Sequence, residues 1–232
     1  ATKIQTDWRP VQLTSQLIPY DDARDESEYS RHNQNARDAA IRKLVGDIAA
    51  AESADGSPGS MLVFCGSKNN VKRTAALIAD SDLHGDDQSL VEALLRKKIG
   101  IHYSGAPQAR HTLDKFEARE ILTLVATSGL STGVNTPARH VVVRDLVLGF
   151  DSELEVSQAQ QMLGRAGRLG HETHGYGYIL VPKSAETAWR NKLDAGYHVR
   201  SGLDDKISDA ILAEILLSSI TSRDDARIWY RG

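Results

Sequence analysis

Two arginines placed behind glycines, in Gln161-Met-Leu-Gly164-Arg165-Ala-Gly167-Arg168, are the most chemically pointed feature of the sequence. Read as helix, that spacing sets both guanidiniums one turn apart on a single face. Each guanidinium is a planar fork that grips phosphate oxygens in bidentate fashion, so the pair suits a polyphosphate. The glycines beside them leave room for another group to approach the backbone closely. A solvated helix end is the ordinary fate of two neighbouring arginines, but the full Gln-x-x-Gly-Arg-x-Gly-Arg pattern is specific enough to set that reading aside.

A second segment, Leu124-Val-Ala-Thr127-Ser128-Gly129-Leu130-Ser131-Thr132-Gly133-Val134-Asn135-Thr136-Pro137-Ala138-Arg139, follows an apolar run. Thr127 and Ser128 offer hydroxyl and backbone N–H donors that hold a phosphate backbone without reading its bases. Alone, this would be a Ser/Thr/Gly-rich turn with caps; its place upstream of the arginine motif gives it the functional reading. Two weaker strings, Leu62-Val-Phe-Cys65-Gly-Ser67-Lys68-Asn-Asn70 and Ile101-His102-Tyr103-Ser-Gly-Ala106, also set polar residues, among them Ser67, Lys68 and His102, at the ends of apolar runs. His171 and His174 stand too close for a His-Glu-x-x-His site, so no metal is assigned. Cys65, the only cysteine, reads as buried filler.

Strands and helices must aim these groups. Apolar runs at 61–65, 99–103, 121–126, 140–148 and 176–181 alternate with helical patterns near 69–80, 88–98, 107–118 and 155–165. That alternation predicts an α/β fold, a parallel sheet covered by helices on both faces. Ligands of such sheets bind at the carboxyl ends of the strands, so the loops after Phe64, Tyr103, Ala126 and Val147 should carry function. Val11 to Leu17 reads as a short strand, Ala36, Ala40, Ile41, Leu44 and Ile48 as one face of a helix, and 53–60 as a linker. After Pro182 the pattern turns helical, and Ile207, Ile211, Leu212, Ile215, Leu216 and Ile220 form an apolar stripe that needs a partner surface.

Charge limits the partners. The 232 residues carry 28 Lys and Arg against 31 Asp and Glu, and residues 61–182 carry 13 of each sign, so any nucleic-acid contact must be local. No apolar run approaches the roughly 20 residues that span a bilayer, so no membrane partner is expected. One cysteine forms no internal disulfide, which makes a reducing cytoplasm the expected location, with nucleoid association as a variant.

On residues 161–168 and 124–139 the sequence resembles the superfamily-two nucleic-acid helicases, in particular the Ski-type DExH branch with its archaeal repair helicases and the helicase domain of polymerase theta. The resemblance implies a RecA-like domain in which Gln161, Arg165 and Arg168 face the ATP γ-phosphate, Arg168 acting as arginine finger. It places Gly133, Asn135 and Gly164 by the nucleotide and Ser67, Lys68, His102, Thr127 and Ser128 along a nucleic-acid strand. Thr136 departs from the family, whose members carry an apolar residue between Asn and Pro. Asp7-Trp-Arg-Pro-Val-Gln-Leu13 resembles the connector by which such enzymes leave their first motor domain.

The sequence holds no Gly-Lys dipeptide and hence no phosphate loop. Asp25-Glu-Ser-Glu28 is no DExH box, because it follows charged residues instead of an apolar strand. The expected layout is therefore a connector at 1–29 from an absent first motor domain, a second RecA-like domain at 30–182, and the start of a truncated winged-helix domain at 183–232. ATP and Mg2+ would be held mainly by the first motor domain, and this piece alone would be inactive. Gly133-Val-Asn-x-Pro-Ala-Arg139 is close to the repair helicases and favours single-stranded DNA over RNA. The competing reading is a catalytically silent helicase-like module that binds nucleic acid or protein.

Overall fold

Each apolar run of the middle of the chain becomes a strand, and each amphipathic stretch between them a helix. The computed structural model describes residues 11–23, 27, 30–55, 59–81, 86–131, 136–149, 152–167, 172–196 and 203–231. In chain order the elements are β1 (Gln12–Tyr20), α1 (Arg31–Asp55), β2 (Met61–Cys65), α2 (Lys68–Ile78), α3 (Asp87–Arg96), β3 (Ile99–His102), α4 (Ala109–Glu117) and β4 (Thr123–Thr127). A 3-10 turn (Ser128–Ser131) leads on to β5 (His140–Val143), β6 (Val147–Leu148), β7 (Ser152–Glu153), α5 (Val156–Leu163), β8 (His174–Pro182) and α6 (Glu186–Ala195).

Six strands form one parallel sheet in the order β1-β8-β5-β2-β4-β3. Strand side chains alternate between faces, and β2 divides accordingly: Met61, Val63 and Cys65 enter one core, Leu62 and Phe64 the other. The first core is closed by Ile41, Leu44 and Ile48 of α1, Val71 and Ala75 of α2, and Leu90, Val91 and Leu94 of α3. The second is closed by Leu113 and Phe116 of α4, Ala159, Met162 and Leu163 of α5, and Trp189 of α6. The sheet is thus covered on both faces, as the alternation predicts, in the RecA-like arrangement that the resemblance implies.

Three local differences have physical causes. The run 140–148 breaks into β5 and β6 because Arg144 and Asp145 interrupt it with a buried ion pair. Residues 12–20 extend beyond the short strand expected at 11–17 and pair along their whole length with β8 at the sheet edge. The compact unit that holds the sheet runs to Gly196, since Trp189 is buried in the second core. The second unit, Tyr197–Gly232, contains α7 (Leu203–Leu216) and α8 (Arg223–Arg231). On α7 Leu212, Ile215 and Leu216 are exposed, and α8 is capped by Ser222, whose hydroxyl accepts from Asp225 N at 3.1 Å.

Two glycine substitutions should move stability in opposite directions. A Cβ on Gly175 of β8 would lie 2.5 Å from backbone atoms of Ala166 and Gly167, so Gly175→Ala should lower the unfolding free energy by about 1–3 kcal/mol. Gly46 is exposed inside α1 with nothing within 4 Å of its Cβ position, and Gly46→Ala should raise stability by about 0.5–1 kcal/mol. Urea unfolding of the 232-residue chain measures both.

Candidate functional site

Three neighbouring strands bring the expected strand-contact residues to one end of the sheet. In the parallel register Cys65 of β2 stands opposite Thr127 of β4, and Ala126 of β4 opposite His102 of β3. Adjacent strands lie about 4.8 Å apart, so Ser67 and Lys68, Thr127 and Ser128, and His102 leave the sheet side by side. Ser67 caps α2, its hydroxyl accepting from Asn70 N at 3.2 Å. The positive end of α2 therefore opens on this edge, where it favours an anion. Lys68 is exposed, with its ammonium 5.6 Å from the centre of the Tyr103 ring. Tyr103 donates to Asp87 at 2.9 Å and Lys72 pairs with the same carboxylate at 2.5 Å. Hydrogen bonding to Asp87 raises the Lys72 pKa, while burial and then Asp87 raise that of Tyr103. Burial lowers the His102 pKa, which makes it a neutral hydrogen-bonding ring instead of a standing cation. Its Nδ1 has no partner among the described residues.

The loop that carries Ser67 and Lys68 is fastened from below by a buried carboxylate. Asp145 Oδ2 accepts from Gly66 N at 2.8 Å and Asn70 Nδ2 at 3.0 Å, while Oδ1 accepts from Arg37 at 2.9 Å and Arg144 at 2.5 Å. Arg144 also reaches Asp38 at 2.6 Å, and Arg73 reaches the other oxygen of Asp38 at 2.5 Å. Burial, the largest single effect, opposes the charge of Arg144, but Asp145, Cys65 and Asp38 together outweigh it and hold the pKa above the ordinary value. Beside this cluster the Cys65 thiol is buried and its pKa is pushed up to about 12, which makes it unreactive as a nucleophile. Sequence reading missed this cluster. Its signal was the Arg144-Asp145 pair inside an otherwise apolar run, an arrangement a buried strand end tolerates only when the charges are paired.

The arginine motif sits at the end of α5. Glu155 and Gln158 close a capping box at its start, and the helix stops at Leu163 with Gly164 as cap. The expectation that Arg165 and Arg168 share one helical face is therefore corrected: the chain leaves the helix before Arg165, Ala166 bridges to Ala138, and Gly167 takes φ +86°. Gln161 and Gly164 are exposed. Arg165 donates from Nη2 to the Ser131 carbonyl, and the Ser131 hydroxyl donates to the Ser128 carbonyl at 2.7 Å. Arg165 thus ties the arginine motif to the turn that begins at Ser128. A second stitch is made by Ala138, whose N–H donates to Arg165 O at 3.0 Å and whose carbonyl accepts from Gly167 N at 2.7 Å. The glycine at 167 admits other parts of the chain, Val11 and Gly175, close to its Cα. Thr136 is fully buried.

Gly133, Asn135 and Arg168 lie outside the described residues, as does His171. His174 is described: its Nε2 stands 2.6 Å from the Thr14 hydroxyl. Among the described residues no group of three His, Cys, Asp or Glu converges as a metal ion requires. Of the motif expected beside the nucleotide, Gln161 is exposed and Arg165 half-buried. No helix among the described residues is long and apolar enough to cross a membrane.

The helicase conserved C-terminal domain family matches residues 36–170. The chain is 31% identical over 193 residues to the ATP-dependent DNA helicase Hel308 of Thermoplasma acidophilum, which covers 78% of this chain and 27% of that protein. It is 26% identical over 239 residues to the ATP-dependent DNA helicase MER3 of Saccharomyces cerevisiae, covering 97% of this chain and 19% of the relative. To the U5 small nuclear ribonucleoprotein 200 kDa helicase of Homo sapiens it is 28% identical over 199 residues, 73% of this chain and 9% of the relative. The chain thus spans well under a third of the length of these relatives.

Removing the buried carboxylate should be far more costly than removing a rim cation. Asp145→Ala leaves Arg37 and Arg144 without their shared partner and should cost about 3–5 kcal/mol. Arg73→Ala, at a side chain 37% exposed, should cost about 1 kcal/mol or less. Denaturant melts of the two variants test the order.

Proposed function

We propose, from the premise that this chain belongs to the helicase conserved C-terminal domain family and to its Ski-type DExH branch, that it is the second motor domain of an ATP-dependent nucleic-acid helicase. The observation that carries this reading is the tie between the two motifs. Arg165 binds the Ser131 carbonyl, so the segment assigned to the γ-phosphate and the turn assigned to the nucleic-acid strand form one hydrogen-bonded unit. In such a unit, charge changes at the nucleotide reach the strand contacts through a few bonds.

Phosphoryl transfer builds charge on equatorial oxygens, and an arginine that meets them only on domain closure links hydrolysis to motion. In this reading Arg168 is that finger, Arg165 and Gln161 orient beside the γ-phosphate, and Gly133, Asn135 and Gly164 line the nucleotide. Ser67, Lys68, His102, Thr127 and Ser128 hold the phosphate backbone of a single strand and carry no sequence information. The phosphate loop and the Mg2+ carboxylates come from a first motor domain that precedes residues 1–29, and α7 and α8 of the second compact unit open a winged-helix domain. DNA is the proposed strand, on the strength of the Gly133 to Arg139 pattern and the two relatives described as DNA helicases, with repair as the proposed setting and the cytoplasm or nucleoid as the place.

The 232-residue chain alone should neither turn over ATP nor bind it tightly, and in the intact protein Arg168→Ala should cut kcat by about 10³ while ATP affinity stays within a few-fold. Turnover by the isolated chain that Arg168→Ala abolishes, or an intact enzyme indifferent to that change, would overturn the half-motor reading. For the strand contacts, Lys68→Ala should weaken binding alike on all sequences and lower the salt slope by roughly one. Thr127→Ala should depress the strand-stimulated ATPase more than the basal rate. Strong sequence dependence of single-strand affinity would instead favour the silent binding module.

A further inference from the structure

One tyrosine lies under two lysines. Tyr103 directly follows β3 and is 3% exposed, and the ammoniums of Lys68 and Lys72 each stand 5.6 Å from the centre of its ring. The two lysines are four residues apart on α2 and so share one face of the helix. They differ in what else holds them. Lys72 pairs with Asp87 Oδ1 at 2.5 Å, and the Tyr103 hydroxyl donates to Oδ2 of the same carboxylate at 2.9 Å. Hydrogen bonds from Lys72 and Tyr103 hold the Asp87 carboxyl below its ordinary pKa, so it stays charged and cancels Lys72. Lys68, exposed at the first residue of α2 beside Ser67, has no carboxylate partner among the described residues. What faces its ammonium is the ring.

We propose that Tyr103 is a positioning residue for strand binding: its ring, braced by Asp87, seats the Lys68 ammonium at the edge where a phosphate backbone would pass. This rests on the reading of Lys68 as a strand contact, and it adds a buried residue that acts through that lysine. A lysine carries its charge on a flexible four-carbon stem, and immobilising such a side chain on a partner costs affinity. The face of an aromatic ring attracts a cation, so a seat already filled in the free protein removes part of that cost. The seat must itself be rigid. Tyr103 is packed into the first core, and its bond to Asp87 fixes the hydroxyl end of the ring. Because Asp87 also cancels the charge of Lys72, the ring faces one net cation instead of two that repel each other.

The test measures binding of a fluorescein-labelled oligothymidine to the intact protein, without nucleotide, across a salt series. Tyr103→Leu should weaken binding about two- to tenfold with the salt slope unchanged, because the charge of Lys68 remains and only its ordering is lost. Tyr103→Phe keeps the ring and should bind within about twofold of the parent. Lys68→Ala should weaken binding and lower the slope by roughly one, and adding Tyr103→Leu to it should cause no further loss. In the unaltered 232-residue chain, ring currents should shift the Lys68 ε-methylene protons upfield, which reads the seat even if Tyr103→Leu fails to fold. Where Lys68→Ala does weaken binding, three results would each refute the seat and leave the strand contact standing: Tyr103→Leu binds like the parent, it weakens binding equally with and without Lys68, or the methylene protons stand where those of free lysine do. If Lys68→Ala leaves both binding and slope unchanged, the strand reading itself is wrong.

Discussion

A single buried carboxylate sets the geometry of the candidate site. Asp145 sits 2% exposed at the end of β5 and accepts hydrogen bonds from Gly66 N, Asn70, Arg37 and Arg144. A charge taken out of water is tolerable only with such partners, so the position of each donor is fixed by the need to satisfy it. Gly66 has no freedom to carry a side chain, since a Cβ there would lie 2.0 Å from Val147 O. The loop that presents Ser67 and Lys68 is therefore pinned at its base, and α1, through Arg37 and Asp38, is locked to the same point. The network is a constraint on shape more than a source of stability: replaced whole by apolar side chains of equal volume, such clusters often cost nothing.

From this anchor the site extends across the sheet in hydrogen-bonded steps. The strand ends of β2, β4 and β3 set the phosphate contacts in a row, the turn after β4 accepts from Arg165, and Ala138 pairs with the backbone on either side of Ala166. Val11 then closes on Gly167 from the sheet edge. A parallel sheet makes this possible because every strand delivers its following loop to the same end. The groups proposed to meet nucleotide and those proposed to meet nucleic acid are neighbours for that reason, although they come from distant parts of the chain.

Much of this was legible in the sequence, and the parts that were not share a cause. Continuous apolar runs such as Met61 to Cys65 can only be strands buried on both faces, and β2 is buried at every residue. Helices with period-3.6 faces between them fix the fold class. Hidden from such reading were the pairings that depend on distant residues: Asp145 with Arg37, Arg165 with Ser131, Val11 with Gly167. The helical face assumed for Arg165 failed because Gly164 ends α5, a local signal that the spacing argument passed over. The connector-like string at 7–13 gave no sign that its successor would pair with β8 residue for residue, since strand partners cannot be read from one strand alone.

In the proposed function Arg168 stabilises charge that develops only during phosphoryl transfer. Affinity for a transition-state mimic tests it most directly: the lifetime of ADP with aluminium fluoride on the intact protein bound to single-stranded DNA, compared between the parent and Arg168→Ala. The variant should lose about 10² or more in retention of the mimic while ADP alone binds within a few-fold of the parent. Equal retention of the mimic by both proteins would contradict it.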